Sequence, residues 1–173
     1  CGHVIPRVTG FDHLAGHPEK KYKFGGETWT STPASKACEE VAEVARKVLA
    51  KTGFVWPEGL EFNSAVAQVY DGKQGAIGWH ADDEKTMQRL VSPEGELEVG
   101  PIVSVSFGAT CKFSTRPIEA EPNAKRRKTT KQELHDGDVL VMKQGFQELY
   151  QHRIQKGDIS KGKRMCITFR AQM

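Results

Sequence analysis

The segment at residues 164–170, RMCITFR, decides the fold class of this chain. Its strict alternation predicts a β-strand with one apolar face, formed by Met165, Ile167 and Phe169. The other face carries Arg164, Cys166, Thr168 and Arg170. Burying two guanidinium groups costs several kcal/mol each unless an anion pairs with them. The strand therefore predicts a core on one side and, on the other, either an anion-filled cavity or, if it is an edge strand, water.

Similar short alternating segments precede this strand, and Gly or Pro separates most of them. They lie at 62–70, 102–107, 111–114, 139–142 and 149–153. One amphipathic helix is predicted from Pro33 to Lys51, with Thr32 as its N-cap and its end near Gly53. A single helix beside many short strands indicates a mainly β chain with a flanking helix. An antiparallel barrel or jelly roll fits better than a parallel α/β sheet.

Length and composition predict a single globular domain over residues 1–173, with 25 Lys+Arg against 22 Asp+Glu and 38% apolar residues. The four cysteines form no C-x-x-C pair, which favours reduced thiols in an intracellular compartment. No apolar run approaches the ~18 residues of a membrane span, so we expect no membrane association, and we expect a monomer. Cys1 in place of Met suggests that the chain begins inside a longer gene product.

The segment 117–133 stands apart because it has almost no large apolar residue and contains the basic run Lys125–Lys128. We interpret it as a basic surface insertion, exposed as a loop between strands. A solvated loop, a phosphate-contacting loop and a nuclear-localisation signal all fit its composition. The net charge of +3 does not by itself indicate a nucleic-acid partner. The basic run suggests residence in the nucleus, with the cytoplasm as the alternative.

His80 and Asp82 follow the strand-like segment 77–79, and their i, i+2 spacing places both side chains on one face of an extended chain. Alone, an H-x-D triplet is weak evidence, but His152 lies near the end of a later predicted strand. Two His and one carboxylate can hold Fe(II) and leave three positions open, although zinc sites also leave a position open. A dicarboxylate cosubstrate would pair with Arg164 and Arg170.

Together these motifs resemble the AlkB family of Fe(II)/2-oxoglutarate-dependent dioxygenases, in particular the members that demethylate nucleic-acid bases. The resemblance extends from about Pro6 to Arg170, outside the basic insertion. Its motifs are, in chain order, 62–64 (FNS), 68–70 (QVY), 77–84 (IGWHADDE), 101–109 (PIVSVSFGA), His152 and 164–170.

The resemblance implies a double-stranded β-helix, a relative of the jelly roll, with Fe(II) bound by His80, Asp82 and His152. It also implies that 2-oxoglutarate chelates the iron and that O2 is the oxidant. The residues implied to anchor 2-oxoglutarate are Gln68, Tyr70, Arg164 and Arg170. The family has Asn where Gln68 and Cys166 stand, so we expect a shifted contact at Gln68 and a weaker one at Cys166.

The resemblance further places Tyr22 and Phe24 in the segment whose aromatic side chains contact the target base; as isolated residues they would be ordinary strand residues. Asp83 and Glu84 follow the metal aspartate and would attract a cationic base such as 1-methyladenine or 3-methylcytosine. In isolation the two acids would be a solvated turn. The segment Val8–Gly16 is a candidate strand-separating loop, with Phe11 either inserted into the base stack or buried in the core.

The function predicted from this resemblance is oxidative demethylation of N-alkylated bases in DNA or RNA, coupled to decarboxylation of 2-oxoglutarate and release of formaldehyde. Alkylated DNA or RNA is therefore the expected partner, and nucleic-acid repair the expected role. Two alternatives stay open: a 2-oxoglutarate oxygenase that acts on a protein side chain or a lipid, and a non-catalytic nucleic-acid binding module.

Overall fold

The computed structural model describes residues 7–24, 27–72, 75–120 and 127–173. These ranges contain two helices, α1 at Lys36–Lys51 and α2 at Phe146–Leu149. The strands of the first half are β1 Arg7–His13, β2 Lys21–Phe24, β3 Glu27–Thr30, β4 Thr32–Pro33, β5 Ser64–Asp71, β6 Ile77–His80 and β7 Arg89–Val91. Those of the second half are β8 Leu97–Val99, β9 Ile102–Gly108, β10 Cys111–Pro117, β11 Thr130–Leu134, β12 Val139–Met142, β13 Tyr150–Ile154 and β14 Lys163–Arg170.

Two large sheets form the body of the fold. One has six strands in the order β12-β9-β14-β5-β1-β4, and the other has four in the order β11-β10-β13-β6. The hairpins β2-β3 and β7-β8 form two small sheets of their own. Strand pairs are antiparallel apart from β1 and β4. The predicted mainly β fold with a jelly-roll core is confirmed.

Strand β14, which contains the RMCITFR segment, lies inside the six-stranded sheet between β5 and β9. Its apolar face packs under helix α1, where Phe169 is fully buried against Phe62 with ring centroids 6.3 Å apart. Its other face points toward the four-stranded sheet, because successive side chains of a strand alternate. An edge position facing water is thereby excluded for the two arginines, which are 2% and 3% exposed.

Helix α1 begins three residues later than its predicted start at Pro33. Thr32 and Pro33 form β4 and pair with Asp12 and His13 of β1, so they are held in extended conformation. The N-cap is Ser35, whose hydroxyl accepts a hydrogen bond from the Cys38 amide at 3.2 Å. The predicted end is confirmed, since the helix stops at Lys51 and Gly53 follows with a φ of 83°.

The prediction of a loop throughout 117–133 is wrong at its carboxyl end. Residues Thr130–Leu134 form β11, which pairs with β10 through Thr115 and Thr130 among others. Their first four side chains are exposed, so this edge strand satisfies the backbone of β10 without needing apolar residues. Residues 121–126, with Lys125 and Arg126, lie outside the described part of the chain.

The segment Val8–Gly16 is not a free loop, because most of it belongs to β1 and pairs with β5 along its whole length. Phe11 is 5% exposed and packs with Val66, so its place is the core. Neither described helix is long and apolar enough to cross a bilayer.

Replacing Phe169 by Ala should lower the free energy of unfolding by about 3–5 kcal/mol, because it leaves a cavity between β14 and helix α1. The matched control is Val44→Ala on the exposed side of the helix, where the side chain is 47% exposed. That change should stay within about 0.5 kcal/mol. Urea unfolding followed by circular dichroism measures both, and equal losses would contradict this description of the core.

Candidate active site

Three side chains with metal-binding groups converge between the two large sheets. His80 ends β6 and His152 lies directly opposite it on β13, with ring centroids 4.2 Å apart. Asp82 follows two residues after β6, and its Oδ1 lies 3.5 Å from Nε2 of His80. One ligand atom from each of the three residues lies within 4.8 Å of the others. Strand pairing thus brings together residues separated by about seventy positions in the chain.

The surroundings of the two imidazoles suit a metal site. His80 Nδ1 lies 2.8 Å from the Gly78 carbonyl oxygen, which can only accept, so Nδ1 is the donor and Nε2 is the ring nitrogen that faces Asp82. Burial lowers the pKa of His152 to about 4; Asp82 opposes this shift, whereas His80 and Arg170 add to it. His152 is therefore neutral at pH 7, and its buried Nδ1 has no hydrogen-bond partner among the residues described. Two imidazoles and a carboxylate form a donor set that fits Fe(II).

Two residues from other elements hold Asp82. Its amide donates a hydrogen bond of 2.9 Å to Oε1 of Gln147, which is 1% exposed in helix α2. Gln147 in turn donates from Nε2 to the sulfur of Met142 at 3.5 Å. The Asp82 Oδ2 accepts from Nη2 of Arg170 at 3.3 Å. Gln147 has no signal in the sequence, because a lone amide beside a Phe shows no pattern and its contact with Asp82 spans 65 residues.

A cavity between the large sheets opens onto these three residues. Its walls come from strands of both sheets, and its lining consists of Gln68, Tyr70, Ile77, His80, Asp82, Ser104, Phe113, Leu134, Leu140, Met142, His152, Ile154, Arg164, Cys166, Thr168 and Arg170. All four residues on the polar face of β14 belong to this lining. The cavity therefore combines the candidate metal ligands with two buried guanidinium groups.

The charges lining this cavity do not balance. Arg164 donates from Nη2 to the Ser106 hydroxyl at 2.9 Å, but its buried Nε and Nη1 have no partner among the described residues. Arg170 contacts Asp82, which is the one carboxylate in the lining. Two buried guanidinium groups against one carboxylate leave room for a second anion with several acceptor oxygens. A dicarboxylate such as 2-oxoglutarate fits this requirement.

The two positions that depart from the family pattern contact each other. Gln68 and Cys166 are cross-strand partners on β5 and β14. The Gln68 Oε1 accepts from the Tyr70 hydroxyl at 2.8 Å, and the Cys166 sulfur lies 3.9 Å from the same oxygen. The extra methylene of Gln thus lets one amide reach both neighbours.

The other predicted residues lie outside the cavity lining. Asp83 is exposed and Glu84 half-buried, both directly after Asp82. Arg89 holds this acidic turn by donating to the Asp83 carbonyl oxygen at 3.3 Å and to Glu148 of helix α2 at 2.9 Å. The backbones of Tyr22 and Phe24 belong to β2, which pairs with β3. Their side chains lie outside the described part of the structure, so the base contact stays a prediction.

Replacing Gln147 by Met should weaken Co(II) binding about 10- to 100-fold, because the Asp82 amide loses its buried acceptor and the carboxylate loses its fixed position. Titration of Co(II) absorption bands under anaerobic conditions measures this affinity. Gln144→Met on the preceding turn, where Gln144 contacts Glu98 at 3.2 Å, is the matched control. The role of Gln147 is disproved if both variants bind Co(II) as tightly as the wild type.

The stability of the metal-free protein should fall in mild acid because of His152. Its pKa is about 6.5 in the unfolded chain and about 4 when folded, so below pH 6.5 the unfolded state takes up the additional proton. Neutral His152 makes its full contribution to the free energy of unfolding above pH 6.5. This contribution falls by up to about 3 kcal/mol as the pH approaches 4.

Urea unfolding in the presence of a chelator, at several values in this pH range, tests this dependence. The His152→Leu variant should lose this part of the pH dependence. The exposed-site control His135→Gln should keep it. Parallel pH profiles for the wild type and His152→Leu would contradict a buried neutral His152.

Comparison with known proteins identifies a matching family model and several proteins of similar sequence. The sequence model of the 2OG-Fe(II) oxygenase superfamily matches residues 8–170. The human alpha-ketoglutarate-dependent dioxygenase alkB homolog 3 is 33% identical over 116 residues, which cover 65% of this chain and 37% of that protein. The DNA oxidative demethylase ALKBH2 of Arabidopsis thaliana is 30% identical over 166 residues, covering 86% of this chain and 46% of that protein. This chain thus spans less than half the length of these two relatives.

Among solved structures, the ribosomal oxygenase YcfD from Escherichia coli, in complex with cobalt and 2-oxoglutarate, is similar with a TM-score of 0.45 and 11% identity. The match covers 97% of this chain and 41% of that one.

Proposed function

Because this chain belongs to the AlkB family of the 2OG-Fe(II) oxygenase superfamily, we propose that it oxidatively demethylates N-alkylated bases in DNA or RNA. One observation carries the proposal: a single cavity combines the cluster of His80, Asp82 and His152 with the buried guanidinium groups of Arg164 and Arg170. A binding module without catalysis would have no need to bury these arginines.

Two groups of residues hold the reactants in this proposal. His80, Asp82 and His152 are the catalytic residues that bind Fe(II), and Arg164 and Arg170 anchor the carboxylates of 2-oxoglutarate. Gln68, Tyr70 and Cys166 orient the same cosubstrate from the side. Bound together, Fe(II), 2-oxoglutarate and O2 supply the oxidation that hydroxylates the N-methyl group, with succinate and CO2 as co-products. The hydroxylated methyl group then leaves as formaldehyde, and the base is returned to its unmodified form.

In this proposal the apolar walls of the cavity limit the access of water to the reaction. Phe113 stacks on His152, with ring centroids 5.4 Å apart and 27° between the ring planes. Ile77, Leu140, Met142 and Ile154 complete an apolar lining on both sheets. Water exclusion strengthens the electrostatic contacts of the anchoring arginines, because the local dielectric is low.

Base recognition uses the opening of the cavity. A base in a duplex must leave the stack before its methyl group reaches the metal, and stacking on aromatic side chains offsets the lost energy. In the proposal Tyr22 and Phe24 provide those rings. Asp83 and Glu84 favour the positive charge of 1-methyladenine or 3-methylcytosine, since Arg89 holds their turn beside Asp82.

The His80→Ala variant should release formaldehyde from a 3-methylcytosine oligonucleotide at least about 100-fold more slowly than the wild type, because it lacks one metal ligand. Succinate formation should fall in parallel. His135→Ala, at a His exposed away from the cavity, should retain wild-type turnover. Equal turnover by the wild type and His80→Ala would disprove the metal assignment.

Two further measurements address the alternatives. An anaerobic sample with Fe(II) and 2-oxoglutarate should show a visible metal-to-ligand charge-transfer band; its absence would favour a non-catalytic binding module. An unmethylated oligonucleotide should compete with the methylated substrate. Failure of every methylated oligonucleotide to give formaldehyde, with the band present, would favour a protein side chain or a lipid as the substrate.

A further inference from the structure

A cluster of arginines surrounds Trp79 on the outer face of the four-stranded sheet. The guanidinium carbons of Arg116 and Arg153 lie 4.2 and 4.4 Å from the centre of the Trp79 ring. Trp79 precedes His80 on β6, and Arg153 follows His152 on β13. Trp79 and Arg153 contact each other and neither lines the cavity, so both lie on the side of the sheet opposite the two histidines. We name the group of Trp79, Arg116 and Arg153 the arginine–tryptophan face.

The positive charge of this face is not neutralised within the described part of the chain. A third arginine, Arg127, lies close enough to donate to the Gln151 Oε1 at 3.5 Å. The same oxygen accepts from Nε and Nη2 of Arg116 at 3.0 and 2.7 Å. None of the three arginines forms an ion pair with a described carboxylate, whereas Arg46 and Arg89 do.

Some guanidinium N–H groups on this face have no hydrogen-bond acceptor among the described residues. Arg153 makes no hydrogen bond to a described residue, and its buried Nε has no partner, so contact with the Trp79 ring is what positions it. Desolvation lowers the pKa of Arg116, and the neighbouring charges of Arg127 and Arg153 lower it further. Mutual repulsion among three cations is relieved when an anion binds between them. Planar guanidinium groups pair bidentately with phosphate oxygens.

We propose that the arginine–tryptophan face binds the phosphodiester backbone of the same nucleic acid whose base enters the cavity. This inference rests on the proposed function and adds a second contact surface to it. Strand β6 is the edge of the four-stranded sheet, with His80 on its inner side and Trp79 on its outer side. A strand of nucleic acid that crosses this edge contacts the cavity on one side and the arginines on the other.

The chemistry of the face favours nucleic acid over an acidic protein segment. Its charges are all arginines, which match phosphate in shape as well as in sign. The exposed Arg127 and Lys128 continue the positive surface into the basic insertion.

The double variant Arg116→Gln/Arg153→Gln tests the proposal. Its affinity for a labelled single-stranded oligonucleotide carrying 3-methylcytosine should fall about tenfold or more at moderate salt. The slope of log K against log salt concentration should decrease by about 1.4, which is about 0.7 for each lost phosphate contact on a single strand. Fluorescence anisotropy over a salt series measures both quantities.

The matched control is Lys47→Gln/Lys51→Gln, which removes the same charge from exposed positions on helix α1. This helix packs on the six-stranded sheet, so its lysines lie away from β6. The control should keep the wild-type affinity and slope. Both double variants should also keep the charge-transfer band with Fe(II) and 2-oxoglutarate, which shows that the cavity is intact.

The outcomes separate the inference from the proposed function. Equal affinity and slope in the two double variants would overturn the inference, while formaldehyde release by the wild type would still support the function. Loss of poly-glutamate binding without loss of oligonucleotide binding would assign the face to a protein partner and also overturn the inference. If the wild type releases no formaldehyde from any methylated oligonucleotide, the function fails, and the salt series still decides whether the face binds phosphate.

Discussion

The burial of two guanidinium groups opposite one carboxylate is the constraint on which the rest of the structure depends. Arg164 and Arg170 lie on a strand with neighbours on both sides, so neither side chain can turn to water. Asp82 pairs with Arg170 and is also the carboxylate of the metal-binding cluster. The fold is thus arranged to receive a cation and an anion together, since each offsets part of the charge that the other leaves unpaired.

The four-stranded sheet presents different chemistry on its two faces. Its inner side provides two imidazoles and an apolar lining, and its outer side carries arginines around Trp79. At the ends of β6 and β13 the neighbouring residues His80 and Trp79, and His152 and Arg153, lie on opposite sides, although a register shift interrupts the period of two between these strands. A reaction that needs a dry metal centre and a polyanionic substrate can therefore use both faces of one sheet.

Much of this arrangement could be predicted from local patterns. The alternation in β14 predicted which residues face the cavity, and the H-x-D spacing with His152 predicted the metal-binding cluster. The start of helix α1 was misplaced because Thr32 and Pro33 pair with β1, a contact that no local propensity reports. Strand β11 was missed because its side chains are mostly exposed and polar. Such an edge strand forms by backbone pairing with its neighbour and does not require apolar side chains.

The sequence by itself determined the types of chemistry available, namely two histidines and an aspartate for a metal and two alternating arginines for an anion. Only the tertiary structure decided how these groups are supported. Gln147 holds the Asp82 amide from 65 residues away, and Arg116 reaches Trp79 across the intervening strand β13. Such contacts depend on strand order and register, which backbone hydrogen bonding sets between segments distant in the chain. The residue types in the sequence do not by themselves show which of these long-range contacts form.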